Sequence, residues 1–282
     1  MIDLDELAQA ASELEPLPVS STRLAALVCA GTPELGQVVE IVQFDEALTA
    51  SLLRSANSSW SASRSDIKTV RDAVIRLGAS PVLALTLGMT VRRHLGDSLP
   101  EYGLSEGMLW RHSVAASLAA ELLTSRAANR PPPEAATAAL LHDVGKLLIA
   151  RFLDRTLLDR MREQREMGAT NLEAEMAVLG IDHAELGGLI ARSWGLPESL
   201  VQGIREHGRP RPGCNSLVYT VYLSDVIANA AGAGLGDDAF LRESDLETLG
   251  SAQCELGLSG PDFEELCALV IERLDEVERR FD

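Results

Sequence analysis

Apolar residues recur every three to four positions along most of this chain, and that spacing restricts the fold more than any other feature. In "FDEALTASLLRSANSS" Asp45 reads as a cap, followed by Leu48, Leu52 and Leu53 on one side. In "SDIKTVRDAVIRLGAS" Ser65 reads as the cap, Ile67, Val70, Val74 and Leu77 form a stripe, and Gly78 ends it. "SPVLALTLGMTVRRHLG" offers Ser80 as cap, Pro81 in the first turn and Gly96 at the exit. The closing "SGPDFEELCALVIERLDEVERRF" puts Phe263, Leu266, Val270, Leu274, Val277 and Phe281 on one face. No alternating stretch is long enough for a strand, so the expected fold is all-α.

The segment 96–105, with two glycines and a proline, reads as a linker. It divides an N-terminal helical lobe, residues 1–100, from a second lobe, 105–232; residues 233–282, entered through "AAGAGLGDD", form a C-terminal helical extension. The terminal amphipathic helix has two options, docking within the chain or pairing with another chain, and the first is the expectation. A formal charge of −17 argues against direct nucleic-acid binding, which needs a Lys/Arg surplus, and against anionic membranes. Cys29, Cys214, Cys254 and Cys267 are scattered, as in a reduced protein. The N-terminus is acidic where a signal peptide is basic, and the longest uncharged run, Leu77 to Val91, is too short to span a bilayer. A soluble cytoplasmic protein is expected.

Against this pattern one block stands out. "AALLHDVGKLLIARF" carries His142, Asp143 and Lys146 in an apolar, helix-like run, where an uncompensated carboxylate costs several kcal/mol, on the order of 2–7 for a polar group and more for a charge. His112 in "LWRHSVAAS", His183 in "IDHAELGGLIARSW", His207 in "PESLVQGIREHG" and Asp225 in "YLSDVIANAAG" likewise fall on the apolar sides of their helices. Singly, each has a bland explanation: a core histidine bonded to a carbonyl, or an aspartate capping a neighbouring helix. Five helices each turning a His or Asp inward point instead to a shared divalent cation. Lys146 projects from the same side as His142 and Asp143 one turn on, and Gly145 would let a substrate approach the backbone. His94 belongs to no such group and is expected at a helix end near solvent.

His112, then His142-Asp143, then Asp225, in this order on separate helices, resemble the HD superfamily of metal-dependent phosphohydrolases. His183 and His207 are similar to the expanded two-metal arrangement of HD-type cyclic dinucleotide phosphodiesterases. A closer resemblance is to the HDOD family, the HD-related output domain of bacterial signalling proteins. It rests on "FDEALTASLLRSANSSW", "TVRDAVIRLGA", "LWRHSVAAS", "LLHDVGKLL", "GIDHAELGGLIARSWGLPESLVQGI" and "YLSDVIANAAG", and covers residues 14 to 232. It implies a second lobe built as an HD-type helical bundle. The implied metal ligands are His112, His142, Asp143, His183, His207 and Asp225, holding one or two divalent ions (Mn, Fe, Ni or Mg).

Two departures bear on activity. No Gly-Tyr-Pro signature follows the HD block, and His207 is followed by Gly208 where related sequences often have a second histidine. The resemblance therefore implies, first, a regulatory protein in signal transduction that binds a signalling partner or a small ligand such as a nucleotide. The alternative is a metal-dependent phosphohydrolase or phosphodiesterase acting on a nucleotide or related phosphate ester. In that reading a water activated by the metal attacks phosphorus, with Asp143 and Lys146 as the catalytic residues and Lys146 holding a phosphate oxygen.

Overall fold

The computed structural model describes residues 4–31, 33–57, 67–234 and 246–281. Among them there are helices and no strands, with one isolated bridge between Leu99 and Leu104. The N-terminal part comprises α1 (Leu4–Ser12), α2 (Val19–Cys29), α3 (Leu35–Gln43), α4 (Glu46–Ala56), α5 (Val70–Leu77) and α6 (Ala79–Leu95). Then follow α7 (Met108–Arg126), α8 (Ala135–Leu141), α9 (Gly145–Phe152), α10 (Arg155–Glu166), α11 (Asn171–Leu179), α12 (His183–Ser193), α13 (Glu198–Glu206) and α14 (Ser216–Ala228). The chain closes with α15 (Leu246–Leu256) and α16 (Gly260–Phe281).

Capping explains most boundaries. The Asp45 carboxylate accepts the amide of Leu48 at 2.9 Å and starts α4. Thr170 and Glu173 form a reciprocal capping box at the start of α11, and Asp182 and Asn215 cap α12 and α14. The start of α5 differs from the expectation. Ser65 lies outside the described residues, and Thr69 caps the helix by accepting the Asp72 amide. Ile67 and Val70 pack against the core on either side of this cap, and full burial begins at Ala73 and Val74. Gly78, at φ 85°, breaks α5 from α6 in a backbone region that side chains disfavour.

Two placements go beyond the sequence reading. Helix α1 lies against α12 and α9, with the Ser193 hydroxyl donating to the Ala11 carbonyl. Residues 96–105 do not behave as a spacer. They fold into a short 3-10 turn (Pro100–Tyr102) with Leu99, Tyr102 and Leu104 buried. The terminal helix docks within the chain: α16 crosses α7 and α14 and buries Leu266, Val270 and Leu274. Each such side chain removed from water contributes about 1.5–3 kcal/mol. The side chains of His94, Val277 and Phe281 lie outside what the structure describes. The four cysteines are free thiols. Among the described residues no single helix is long and apolar enough to cross a membrane.

The arrangement that matters for function is a layer of helices around α8 and α9. Helix α7 lies between α8 and α14, and α12 covers α9 and pairs with α13. The ends of α7, α8, α12, α13 and α14 thus meet around the short turn that joins α8 to α9.

Candidate metal centre

That turn carries His142 and Asp143. Small residues before it let α8 sit deep: Ala135 to Leu141 are all buried against α7, α13 and α14. After it, Gly145 opens α9 against the chain start of α12. A Cβ at Gly145 would overlap the His183 carbonyl and come within 2.7 Å of the Gly187 amide. Sequence reasoning assigned this glycine to substrate access. Its space is instead taken by helix–helix contact, which brings His183 up to Asp143.

Four imidazoles converge here in the same way. In each, Nδ1 is held by an acceptor behind the ring. His112 Nδ1 donates to the Ala233 carbonyl at 2.9 Å, and His142 Nδ1 to the Ala139 carbonyl at 2.7 Å. His207 Nδ1 donates to the Ile204 carbonyl at 2.7 Å, and His183 Nδ1 to Glu175 Oε2 at 2.7 Å. A carbonyl or carboxylate only accepts, so the proton sits on Nδ1, and in a neutral ring Nε2 keeps its lone pair. The Ala233 carbonyl reaches His112 because α14 ends in a π turn, Asn229–Ala233, with Gly232 at φ 79°. Backing of this kind fixes ring orientation in metal sites.

The other faces of the rings meet two carboxylates. His112 Nε2 lies 3.2 Å from His142 Nε2, 3.0 Å from Asp225 Oδ1 and 3.6 Å from Asp143 Oδ2. His142 Nε2 lies 3.5 Å from Asp143 Oδ2 and 3.7 Å from Asp225 Oδ1. His183 Nε2 is 3.2 Å from Asp143 Oδ1, and Lys146 Nζ donates to Asp143 Oδ2 at 2.8 Å. The His207 ring stands edge-on to His142, centroids 4.8 Å apart, and 5.5 Å from His183. All seven residues singled out in the sequence are therefore in one cluster. Two overlapping triads have donor atoms close enough for an ion: His112, His142 and Asp225, and His142, Asp143 and His207.

The donor set tests well against a divalent cation. With metal–ligand bonds of about 2.1 Å, donor–donor edges run roughly 3.0 Å in an octahedron and 3.4 Å in a tetrahedron. The His112–His142 separation and those from each of these imidazoles to Asp143 and Asp225 span 3.0–3.7 Å. Neutral His112 and His142 would point two lone pairs at each other across 3.2 Å, which needs positive charge in between. The charges agree: with neutral imidazoles, Asp143, Asp225 and Glu175 against Lys146 leave two negative charges uncompensated.

Titration behaviour expresses the same demand. Burial alone would raise the Asp143 carboxyl, but His142, Lys146 and His183 outweigh it and hold the group well below the carboxylate range. Burial is likewise overcome at Asp225 by hydrogen bonds from His112 and His142. Burial would strip the proton from His142, yet Asp143 and Asp225 raise it. His183 is lowered by burial and pushed the other way by Glu175 and Asp143, ending at about 10. Burial and the neighbouring His142 and His183 drive His207 down to about 3. Protons on His142 and His183 thus do the work a cation would do, and a metal bound here would compete with them.

Burial limits access. His112, His142, Asp143, Lys146, His183 and His207 are each at most 3% exposed, whereas the Asp225 side chain is 28% exposed. Solvent meets the centre from the Asp225 side. Two residues outside the sequence reading complete the site. Glu175, fully buried, accepts from the His183 amide and Nδ1 at 2.7 Å each and from the Tyr102 hydroxyl at 2.8 Å. Its signal was available, because it sits three after Leu172 and four before Leu179 on an apolar stripe. Leu172 is the other: a Cβ at Gly208 would strike its Cδ1, so Leu172 fills the space a side chain at 208 would need.

Comparison with known proteins agrees with this architecture. A solved HDOD domain protein of unknown function from Geobacter sulfurreducens is 23% identical, covers 98% of this chain and 97% of its own, and gives a TM-score of 0.70. A Shewanella amazonensis SB2B structure described as a "Putative phosphohydrolase" is 26% identical, with coverage of 95% and 97% and a TM-score of 0.67. A Marinobacter aquaeolei VT8 structure described as a "Putative signal transduction protein" gives 0.71 at 22% identity, covering 98% of this chain and 64% of its own. An uncharacterized protein of Treponema pallidum (strain Nichols) is 23% identical over 175 residues, which is 62% of this chain and 33% of that protein's length. The HDOD domain family model matches residues 14–210, ending before the helix that carries Asp225. With the two-thirds of the chain under that match folding around the His142-Asp143 turn, this chain belongs to the HDOD domain family.

Proposed function

We propose that this protein is a regulatory HDOD module in bacterial signal transduction, in which one divalent cation ties the helices of the second lobe together. Its output would be binding, to a signalling protein or a small ligand, rather than turnover. The observation that carries this reading is the enclosure of the convergent donors: six of the seven centre residues are almost fully buried. A phosphate ester must touch its metal, and these side chains leave it only the Asp225 side.

His112, His142, Asp143 and Asp225 would hold the ion, His183 and His207 flank it, and Lys146 neutralises Asp143. A divalent ion here would supply concentrated positive charge facing the Asp143 and Asp225 carboxylates. Imidazole donors favour Fe or Ni over Mg, and the two carboxylates also suit Mn. Lys146 donates to Asp143 Oδ2, the oxygen that also faces His112 and His142, and would share it with the ion. No residue in this centre is assigned a catalytic role under this reading.

The partly exposed Asp225 and the second triad of His142, Asp143 and His207 favour the phosphohydrolase alternative. In it Lys146 would position a phosphate oxygen as a point charge. The two readings separate in one experiment. Protein purified without chelator is analysed for metal and incubated with cyclic and linear nucleotides and with bis(p-nitrophenyl) phosphate. One bound equivalent with no turnover supports the regulatory reading. Hydrolysis that disappears in Asp143→Ala, with the fold retained, overturns it.

A further inference from the structure

The turn that ends α14 touches both the metal centre and the C-terminal extension. Its residues, Asn229–Ala233, take the π form, with Gly232 at φ 79° and with Ala231 and Ala233 buried. At its start Asn229 Nδ2 donates to Asp225 Oδ1 at 2.9 Å, the oxygen that lies 3.0 Å from His112 Nε2. Asn229 Oδ1 is buried with no hydrogen-bond partner among the described residues, so this amide serves Asp225 alone. At its end the Ala233 carbonyl accepts from His112 Nδ1 at 2.9 Å. One short segment thus sets the position of both His112 and Asp225. Arg111 holds the same segment from α7, donating to the Gly232 carbonyl at 2.8 Å.

Helix α16 packs against this turn as well as against α7 and α14. It runs antiparallel to α7, from Glu265 on Arg126 at 2.8 Å to Arg273 beside Glu121, and so heads towards the His112 end. Its hold is slight for its length. Of its 22 residues only Leu266, Val270 and Leu274 are buried among those described, whereas α7 and α14 are buried along most of their length. A helix with few buried contacts opens at lower free energy than the core. The turn is therefore an element whose position both the donor pair and the terminal helix bias.

We propose that the Asn229–Ala233 turn couples α16 to the metal centre, so that a divalent ion on His112 and Asp225 favours the docked helix and the docked helix favours the ion. This rests on the metal reading given above and adds how occupancy reaches the surface. Release of α16 exposes Leu266, Val270 and Leu274, so the ion would control an apolar face. Such coupling is reciprocal. The factor by which the ion protects the docked helix equals the factor by which an undocked helix weakens the ion.

The test is hydrogen exchange on the full chain with and without Ni, together with Ni affinity measured by competition against a chromophoric chelator. Saturating Ni should slow exchange of the α16 amides at least about fivefold more than those of α3, the lower range for coupling between sites; α3 packs on α2, α4 and α5. Val270→Asp combined with Leu274→Asp forces charge into the seat of α16 and should weaken Ni by the same factor, within about threefold. Retained protection of α9 shows that this variant is folded. Gly232→Ala adds no contact, since a Cβ there meets nothing within 4 Å, and strains only the positive φ. It should speed α16 exchange severalfold with or without Ni, and it probes the turn where the double variant does not fold. Ni that binds without slowing α16, an undocked variant with wild-type Ni affinity, or Gly232→Ala exchanging as wild type each overturn the coupling while the metal reading stands. Failure of Ni to bind overturns the metal reading and the coupling with it.

Discussion

Glu175→Gln isolates the role of the residue that holds His183. The Glu175 carboxylate accepts three hydrogen bonds, two from His183 and one from Tyr102, at 2.7–2.8 Å in a fully buried position. Hydrogen bonds to a charged partner contribute about 1.5–3 kcal/mol each. The isosteric amide keeps one oxygen for His183 but loses the charge that faces its imidazole and turns an N–H₂ toward Tyr102. The expected destabilisation is about 2–4 kcal/mol, less than the sum of the contacts because the amide preserves shape. For a domain of this size that lowers Tm by about 5–12 °C. Metal affinity should fall by up to about tenfold, the low end of the cost of losing a direct partner of a ligand, because Glu175 acts on Asp143 through His183. Urea denaturation and metal titration measure the two effects. A variant within about 0.5 kcal/mol of wild type, with undiminished metal affinity, would refute the view that Glu175 orients the centre.

Other perturbations test separate links. Gly145→Ala places a Cβ against the His183 carbonyl; a loss of about 3 kcal/mol or more, at the upper end for overpacking, is expected in chemical denaturation, and a neutral result would show that α9 and α12 are not in register-fixing contact. Saturating Mn or Ni at about 100 times its dissociation constant should stabilise wild type by about 2.7 kcal/mol and His142→Ala by far less, measured as Tm with and without chelator. Glu121, half-buried on α7, is raised by burial from 4.5 to about 7, with Arg273 opposing. Its folded-state preference is for the protonated form, so the stability it contributes is full below about pH 4.5 and is lost as pH rises through 7. Glu121→Gln should flatten the pH dependence of stability in that window and exceed wild type at pH 8 by about 1–3 kcal/mol, discounted for partial exposure.

The fold and the ring of site residues were legible for the same reason. Periodicity marks which residues face inward, and His112, His142, His183, His207 and Asp225 are polar exceptions on inward stripes that all find the same cluster. What stayed hidden depends on backbone and on contacts between helices. The Ala233 carbonyl that orients His112 comes from a π turn, whose geometry no side chain announces. Gly145 could serve a substrate or a helix crossing, and only the position of the His183 carbonyl decides. Glu175 followed the same inward pattern as the histidines, but a carboxylate eight residues before His183 has no metal-ligand spacing to draw attention. Ser65 and Thr69 are both acceptable caps by type, and residue type alone does not rank them. Helix α1 crosses to α12 rather than joining its sequence neighbours, a tertiary choice that local spacing does not encode.

The most direct test is anomalous diffraction from crystals of protein prepared with Mn or Ni and without chelator, recorded on either side of the metal edge. The account predicts a single strong peak at bonding distance, about 2.0–2.2 Å, from the Nε2 atoms of His112 and His142 and the facing oxygens of Asp143 and Asp225. No peak there, with the Nε2 atoms and carboxylates joined by protons and water alone, would contradict it.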